Sequence, residues 1–213
     1  MNRIRRLDPV GVKAADLTEA VDLLRDGGIV AYPTETLYGL GVDAADAAAV
    51  RRLRALKGRD EDKPILVLVD GLTMLEEIAG PVPDAAKRCV ARFWPGPLSV
   101  VLRANRRLPP ELTAGTGTIG ARISSHPVAR LLPALLGSPL TSTSANPSGS
   151  PGATSANAVA EAFGSRIGLI LDAGAALSQT PSTVIDFSST EPRILREGAV
   201  PREALSEVIG LEV

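Results

Sequence analysis

Residues 16–33 read DLTEAVDLLRDGGIVAYP, and the change of period inside them sets the fold class. Leu17, Val21 and Leu24 recur at helical spacing with Leu23 at the edge of the same face, and Gly27-Gly28 then stops the helix. The run Ile29 to Tyr32 is apolar and too short for another helix; ending at Pro33, it reads as a buried strand. A helix that leads through two glycines into a buried strand is the repeating unit of an α/β domain.

The alternation continues along the chain. Helices are expected over residues 46–57, with Val50, Leu53 and Leu56 at three-residue steps, and over Asp84–Trp94 before Pro95-Gly96-Pro97. Others are expected over Pro127–Leu136 before Gly137, over Ala156–Phe163 and over Arg202–Ile209. Strands are expected at Ile65–Val69, Leu98–Leu102, Ile119–Ile123, Leu169–Leu171, Thr183–Phe187 and Ile194–Arg196. There is no internal repeat and no charged or Gly/Ser linker, so the 213 residues read as one domain. The polar stretch from Pro139 to Thr154 lies between periodic segments, where a long loop in a compact chain tends to carry function.

Composition narrows the chemistry. With 45% apolar residues the chain can bury a substantial core, and 23 basic against 24 acidic residues leave a net charge of −1. That balance carries no overall nucleic-acid footprint. One cysteine, Cys89, excludes an intramolecular disulfide and a cysteine-rich zinc site; one histidine, His126, excludes multi-histidine metal centres. The Arg-rich start has no apolar signal core, and no window is long and apolar enough to span a membrane, so a cytoplasmic protein is expected. What remains is chemistry by hydroxyls, amides, carboxylates, Lys, Arg and backbone N–H groups, an inventory that suits phosphate handling.

Several tempting motifs fail. Gly115-Thr116-Gly117-Thr118-Ile119-Gly120 matches G-x-G-x-x-G, but a strand-like segment follows it and none precedes it, the reverse of a dinucleotide fingerprint. There is no P-loop and no G-x-S-x-G elbow. His126, followed by Pro127, reads as a helix start, and Cys89 as a buried small hydrophobe.

Four segments place polar groups beside glycine or proline near strand ends, where open α/β sheets bind ligands. In Tyr32–Gly41 two hydroxyls and Glu35 occupy a turn whose glycines would let a ligand approach the backbone; Thr34 or Thr36 as a helix N-cap would explain the pattern equally well. In Lys57–Pro64 the cations either complement a helix C-terminus or hold anionic oxygens. In Thr141–Gly149 successive hydroxyls and Asn146 make either a neutral phosphate cradle or a Ser/Thr-rich turn. Last, Thr118 and Arg122 join Pro181–Asp186 and Ile194–Gly198, where each arginine is a ligand clamp or an ordinary surface strand residue. By themselves these residues describe an α/β protein with a cleft for an anionic, phosphorylated ligand, and no particular reaction.

Taken together, YPTETLYGLG at 32–41, KGR at 57–59 with KP at 63–64, FWPGPLS at 93–99, Arg122, TSTSAN-x-SG at 141–149, PSTVIDF at 181–187 and LREG at 195–198 resemble the YrdC/Sua5 family of L-threonylcarbamoyladenylate synthases. The matches keep family order and run from about Ala15 to Arg202. The resemblance implies a twisted mixed sheet, parallel and antiparallel, flanked by helices around a concave ligand cleft. It implies a single short YrdC-type domain without the C-terminal domain of Sua5-type members.

The implied reaction joins L-threonine, bicarbonate or CO2, and ATP with Mg²⁺ into threonylcarbamoyl-AMP and pyrophosphate. A separate transferase complex would then modify adenosine 37 of tRNAs reading ANN codons. By the same resemblance Thr34, Arg122, Ser142 and Ser182 would hold threonine. Lys57, Arg59, Thr118, Ser144, Asn146 and Arg196 would hold ATP, with Lys57 and Arg59 on its phosphates. No residue of the chain is implied as a resident metal ligand. Glu35 is a candidate general base by location alone.

The chain departs from the family pattern in having Asp60 after KGR and Ser124 where R-x-P is common. Two rivals remain. One is an RNA-binding module without synthase activity, since the family's concave face can be electropositive and allows weak tRNA binding; only 3% aromatics offer few stacking platforms. The other is a carbamoyl-adenylate enzyme like the related domain of hydrogenase maturation proteins.

Overall fold

A computed structural model describes residues 3–58, 63–176 and 180–210. Its strands are β1 (Ile4–Arg6), β2 (Val30–Pro33), β3 (Tyr38–Gly41), β4 (Val67–Leu68), β5 (Leu98–Arg103), β6 (Thr118–Arg122), β7 (Leu140–Thr141), β8 (Thr143–Ser144), β9 (Leu169–Asp172), β10 (Thr183–Asp186) and β11 (Arg193–Arg196). Its helices are α1 (Thr18–Arg25), α2 (Ala47–Lys57), α3 (Leu72–Ile78), α4 (Asp84–Phe93), α5 (Pro110–Thr113), α6 (Pro127–Leu136), α7 (Ala156–Phe163) and α8 (Arg202–Ile209).

Local chemistry accounts for the helix ends. Asp46 caps α2 by accepting from the Ala48 and Ala49 N–H groups at 2.8 and 3.0 Å, and Gly58 ends it in the left-handed region at φ +58°. Pro127 starts α6, His126 Nδ1 accepts from the Val128 N–H at 3.3 Å, and Gly137 closes the helix at φ +72°. His126 is thus the helix cap expected of it. Cys89 is buried in α4, and burial pushes its thiol up to about 11, which disfavours the thiolate and leaves a small hydrophobe.

The mixed parallel and antiparallel pairing flanked by helices is as expected, and the strands divide into two sheets. A five-stranded sheet runs β1-β9-β2-β3-β8 and a six-stranded sheet β11-β10-β5-β6-β4-β7, each with parallel and antiparallel pairs. Residues 140–144 form the seam between them. Thr141 pairs with Val67 in the six-stranded sheet, Thr143 pairs with Leu40 in the five-stranded one, and the Thr141 hydroxyl accepts from the Val42 N–H at 2.9 Å. The polar stretch that reads as a loop therefore begins as two short strands, because its neighbours supply the partners that its own residues do not advertise.

The helices fill two cores. The larger packs α2, α3, α4, α7 and α8 against β5, β6 and Tyr38 and Leu40 of β3. The smaller packs α1 and α6 against β2 and β9, with Leu17, Val21 and Leu24 on the buried face that the sequence pattern marks. Residues 4–6 form the edge strand β1 beside β9, at the edge of the five-stranded sheet opposite β8. No described helix is long and apolar enough to cross a membrane.

Candidate active site

Strand alternation builds the floor of a cavity of about 400 Å³. On β5, Leu98, Val100 and Leu102 point into the larger core, which turns Ser99 and Val101 to the other face. On β6 the core residues are Ile119 and Ala121, and on β10 Ile185. The opposite faces carry Thr118, Gly120 and Arg122, and Ser182 and Val184. Registry brings these into contact: Val101 lies opposite Gly120, and Val184 opposite Ser99. Leu66, Val184 and Leu195 add apolar wall, Leu195 being 48% exposed at the rim.

Two strand ends bring guanidiniums to this floor. Arg122, at the end of β6, is 5% exposed and lies 3.0 Å from Glu35 Oε1 through Nη1. The Ser124 hydroxyl donates to the other Glu35 oxygen and accepts from the His126 N–H at 3.2 Å. Arg196, at the end of β11, donates from Nε and Nη2 to the Ser182 carbonyl at 3.1 and 2.8 Å, and from Nη2 to the Ser182 hydroxyl at 3.0 Å. Partial burial, and then the neighbouring Arg122 charge, hold Arg196 below the usual arginine pKa.

The hairpin over the cavity is tied by Thr34. Its hydroxyl donates to the Leu37 carbonyl at 2.6 Å and accepts from the Thr36 and Leu37 N–H groups, both at 3.2 Å. This is a hairpin turn between β2 and β3, so neither threonine caps a helix. The role expected for the glycines also changes. A Cβ on Gly41 would lie 2.7 Å from the Tyr32 ring and 2.9 Å from the Thr141 carbonyl oxygen, so Gly41 makes room for a tyrosine rather than a ligand. Tyr32 is fully buried, donates to that carbonyl at 2.9 Å, and is raised in pKa by burial. A Cβ on Gly39, which does line the cavity, would lie 3.2 Å from the same ring.

The cavity thus gathers Thr34, Thr118, Arg122, Ser142, Ser144, Ser182 and Arg196 from five separate stretches of chain. Lys57 and Asn146 do not line it; both stand behind Ser144. The Lys57 Nζ and the Asn146 backbone N–H each donate to the Ser144 carbonyl, the second at 2.9 Å. The Asn146 amide donates to the Pro147 and Ser150 carbonyls at 2.9 and 2.6 Å, while its buried Oδ1 has no partner. Arg59 and Asp60 lie outside the described residues. Glu35 is absent from the cavity lining and pairs with Arg122, which lines it. Two serines outside the lining support residues at the site: the Ser99 hydroxyl shares a hydrogen bond of 3.0 Å with the Ser182 hydroxyl, and the Ser124 hydroxyl donates to Glu35. A buried hydroxyl interrupting an apolar strand signals the first; only the fold reveals the second.

Chemically, the cavity offers two cations, a ring of hydroxyls and an apolar strip. That set suits a ligand with anionic, hydroxyl and apolar parts. Among the described residues no group of three His, Cys, Asp or Glu side chains converges to hold a metal.

Known proteins resemble the chain along most of its length. A family profile described as telomere recombination, covering Sua5, YciO and YrdC proteins, matches residues 22–198. The chain is 41% identical over 191 residues to the threonylcarbamoyl-AMP synthase of Pyrococcus abyssi, a match covering 90% of this chain and 56% of that protein. It is 43% identical over 166 residues to the threonylcarbamoyl-AMP synthase of Thiobacillus denitrificans, covering 78% of this chain and 88% of that protein. The crystal structure of P. abyssi Sua5 complexed with L-threonine superposes with a TM-score of 0.93 at 38% identity, over 100% of this chain and 62% of that one. The chain therefore spans less than two thirds of the P. abyssi protein and most of the T. denitrificans one.

Proposed function

Because the chain belongs to the Sua5/YciO/YrdC family, we propose that it makes threonylcarbamoyl-AMP and pyrophosphate from L-threonine, bicarbonate or CO2, and ATP. The observation that carries this reading is the convergence on one cavity of two guanidiniums and the hydroxyls of Thr34, Thr118, Ser142, Ser144 and Ser182. One cation is needed for the carboxylate of threonine and one for the phosphates of ATP, and the cavity holds Arg122 and Arg196 on different walls.

In this reading Arg122 grips the threonine carboxylate, with Thr34, Ser142 and Ser182 on the side of the amino acid. Arg196, Thr118, Ser144 and Asn146 belong to the side of the nucleotide, with Lys57 and Arg59 assigned to its phosphates. The threonine amine adds to CO2 to form a carbamate, which is short-lived in water and benefits from a closed site. A carbamate oxygen then attacks the α-phosphorus, and pyrophosphate leaves. The growing phosphate charge calls for positioning and fixed cations, with no covalent enzyme intermediate. Mg²⁺ would enter with ATP as its counter-ion, and no step is routed through it. The product would pass to a separate transferase for the N6-threonylcarbamoyl modification of adenosine 37 in tRNA, and the setting would be the cytoplasm.

The test is pyrophosphate release from ATP with L-threonine and bicarbonate, omitting each in turn. Release that needs both threonine and bicarbonate is expected. Release with carbamoyl phosphate in their place would make the chain a carbamoyl-adenylate enzyme. Folded protein that releases none under any combination yet binds RNA would replace the synthase with a binding module.

A further inference from the structure

Glu35 and Arg122 come from different sheets. Glu35 sits in the turn that joins β2 to β3 in the five-stranded sheet, and Arg122 ends β6 in the six-stranded one. Their ion pair, at 3.0 Å with side chains only 12% and 6% exposed, spans the junction beside the cavity. A desolvated pair of this kind is sensitive to geometry, since either charge left alone there is strongly disfavoured. Two features hold the carboxylate in place. The Ser124 hydroxyl donates to Oε2, and the hairpin carrying Glu35 is tied by the Thr34 hydroxyl to the Leu37 carbonyl at 2.6 Å.

The guanidinium is only partly used by this arrangement. Nη1 faces Glu35, while Arg122 Nε is buried and has no hydrogen-bond partner. A buried donor without an acceptor marks a place where an added group completes the set. Arg122 and Arg196 line the same cavity, and the Arg122 charge adds to burial in lowering the Arg196 pKa, so the two like charges oppose one another there.

We propose that Glu35, braced by Ser124, is the positioning residue that fixes the Arg122 guanidinium for an amino-acid carboxylate. The role rests on the synthase reading and deepens it. Glu35 acts through Arg122, the member of the pair that lines the cavity.

Threonine binding measured by calorimetry without turnover, together with the ¹⁵N NMR signal of the Arg122 side chain, tests this. Glu35→Gln keeps shape and removes charge; it is expected to weaken threonine about 10-fold while ATP affinity moves less than about 2-fold. Ser124→Ala, which spares the ion pair, is expected to weaken threonine about 3-fold. In an Arg122→Ala background the Glu35→Gln effect should fall below about 2-fold, since the two act as one unit. The Arg122 signal should show hindered rotation in the wild type and fast averaging in Glu35→Gln. The proposal is overturned by unchanged threonine affinity in Glu35→Gln, by equal losses for threonine and ATP, or by an effect that persists without Arg122. Wild-type protein that binds no threonine overturns the functional reading and this role with it. A hindered Arg122 in that protein would then locate the failure in the choice of ligand.

Discussion

Arg122 and Arg196 face the same cavity from walls of opposite kinds. Arg122 is buried, paired with a carboxylate, and set in a junction where Tyr32, Gly41, Ser124 and Thr141 also pack. Arg196 belongs to an exposed edge strand and is held by one serine through a carbonyl and a hydroxyl. The same side-chain type therefore serves two economies of structure. On the buried wall, the proposed binding and the folding would share their interactions, so a change there should damage both. On the open wall the guanidinium can be removed without disturbing the core.

The strongest way to break this contrast is Arg122→Ala. It should cut threonine-dependent pyrophosphate release by about 100-fold and also lower the melting temperature, because Glu35 is left buried and unpaired. An unchanged melting temperature would place Arg122 in the same class as Arg196. Gly41→Ala probes the buried wall away from the ligand. Its Cβ would meet the Tyr32 ring at 2.7 Å and Leu140 Cδ1 at 2.9 Å, so a loss of about 2 kcal/mol in urea unfolding is expected. Arg196→Ala should raise the KM for ATP about 10-fold with the melting temperature within about 1 °C of the wild type.

The smallest effect concerns His126, on the buried side. Burial lowers its pKa below 6.5, although Glu35 opposes the shift. The unfolded chain then takes up a proton that the folded one refuses, so stability declines as pH falls through 6.5 and levels off below the folded-state pKa. His126→Asn keeps an acceptor for the Val128 N–H and should flatten that decline in urea midpoints measured from pH 7.5 to 5.

Elements set by near neighbours were legible. The ends of α2 and α6, the buried face of α1, and strands β2, β5, β6 and β10 follow from caps, glycines and hydrophobic period. Strands β3, β7 and β8 were not. Tyr38-Gly39-Leu40-Gly41 carries two glycines that weaken it as a strand, and Thr141 to Ser144 is polar. Each is a strand because another segment pairs with it: β3 with β2, β7 with β4, and β8 with β3. Helix α3 is not legible for a related reason, its seven residues being too few to show a period.

The site divides along the same line. Residue types and their order were enough to point to an anionic ligand and, by resemblance, to a family. In the sequence Glu35 is a candidate base and Ser124 a departure from pattern, and nothing in the order of residues connects the two. The fold joins them, since Ser124 donates to Glu35 across 89 residues of chain and Glu35 holds Arg122. Helix stops, strand periodicity and capping act over a few residues, so the order of side chains alone determines them. The split into two sheets, the seam at residues 140–144 and the guanidinium held between the sheets depend on groups that meet only when distant segments pack, and desolvation then decides which charges must pair.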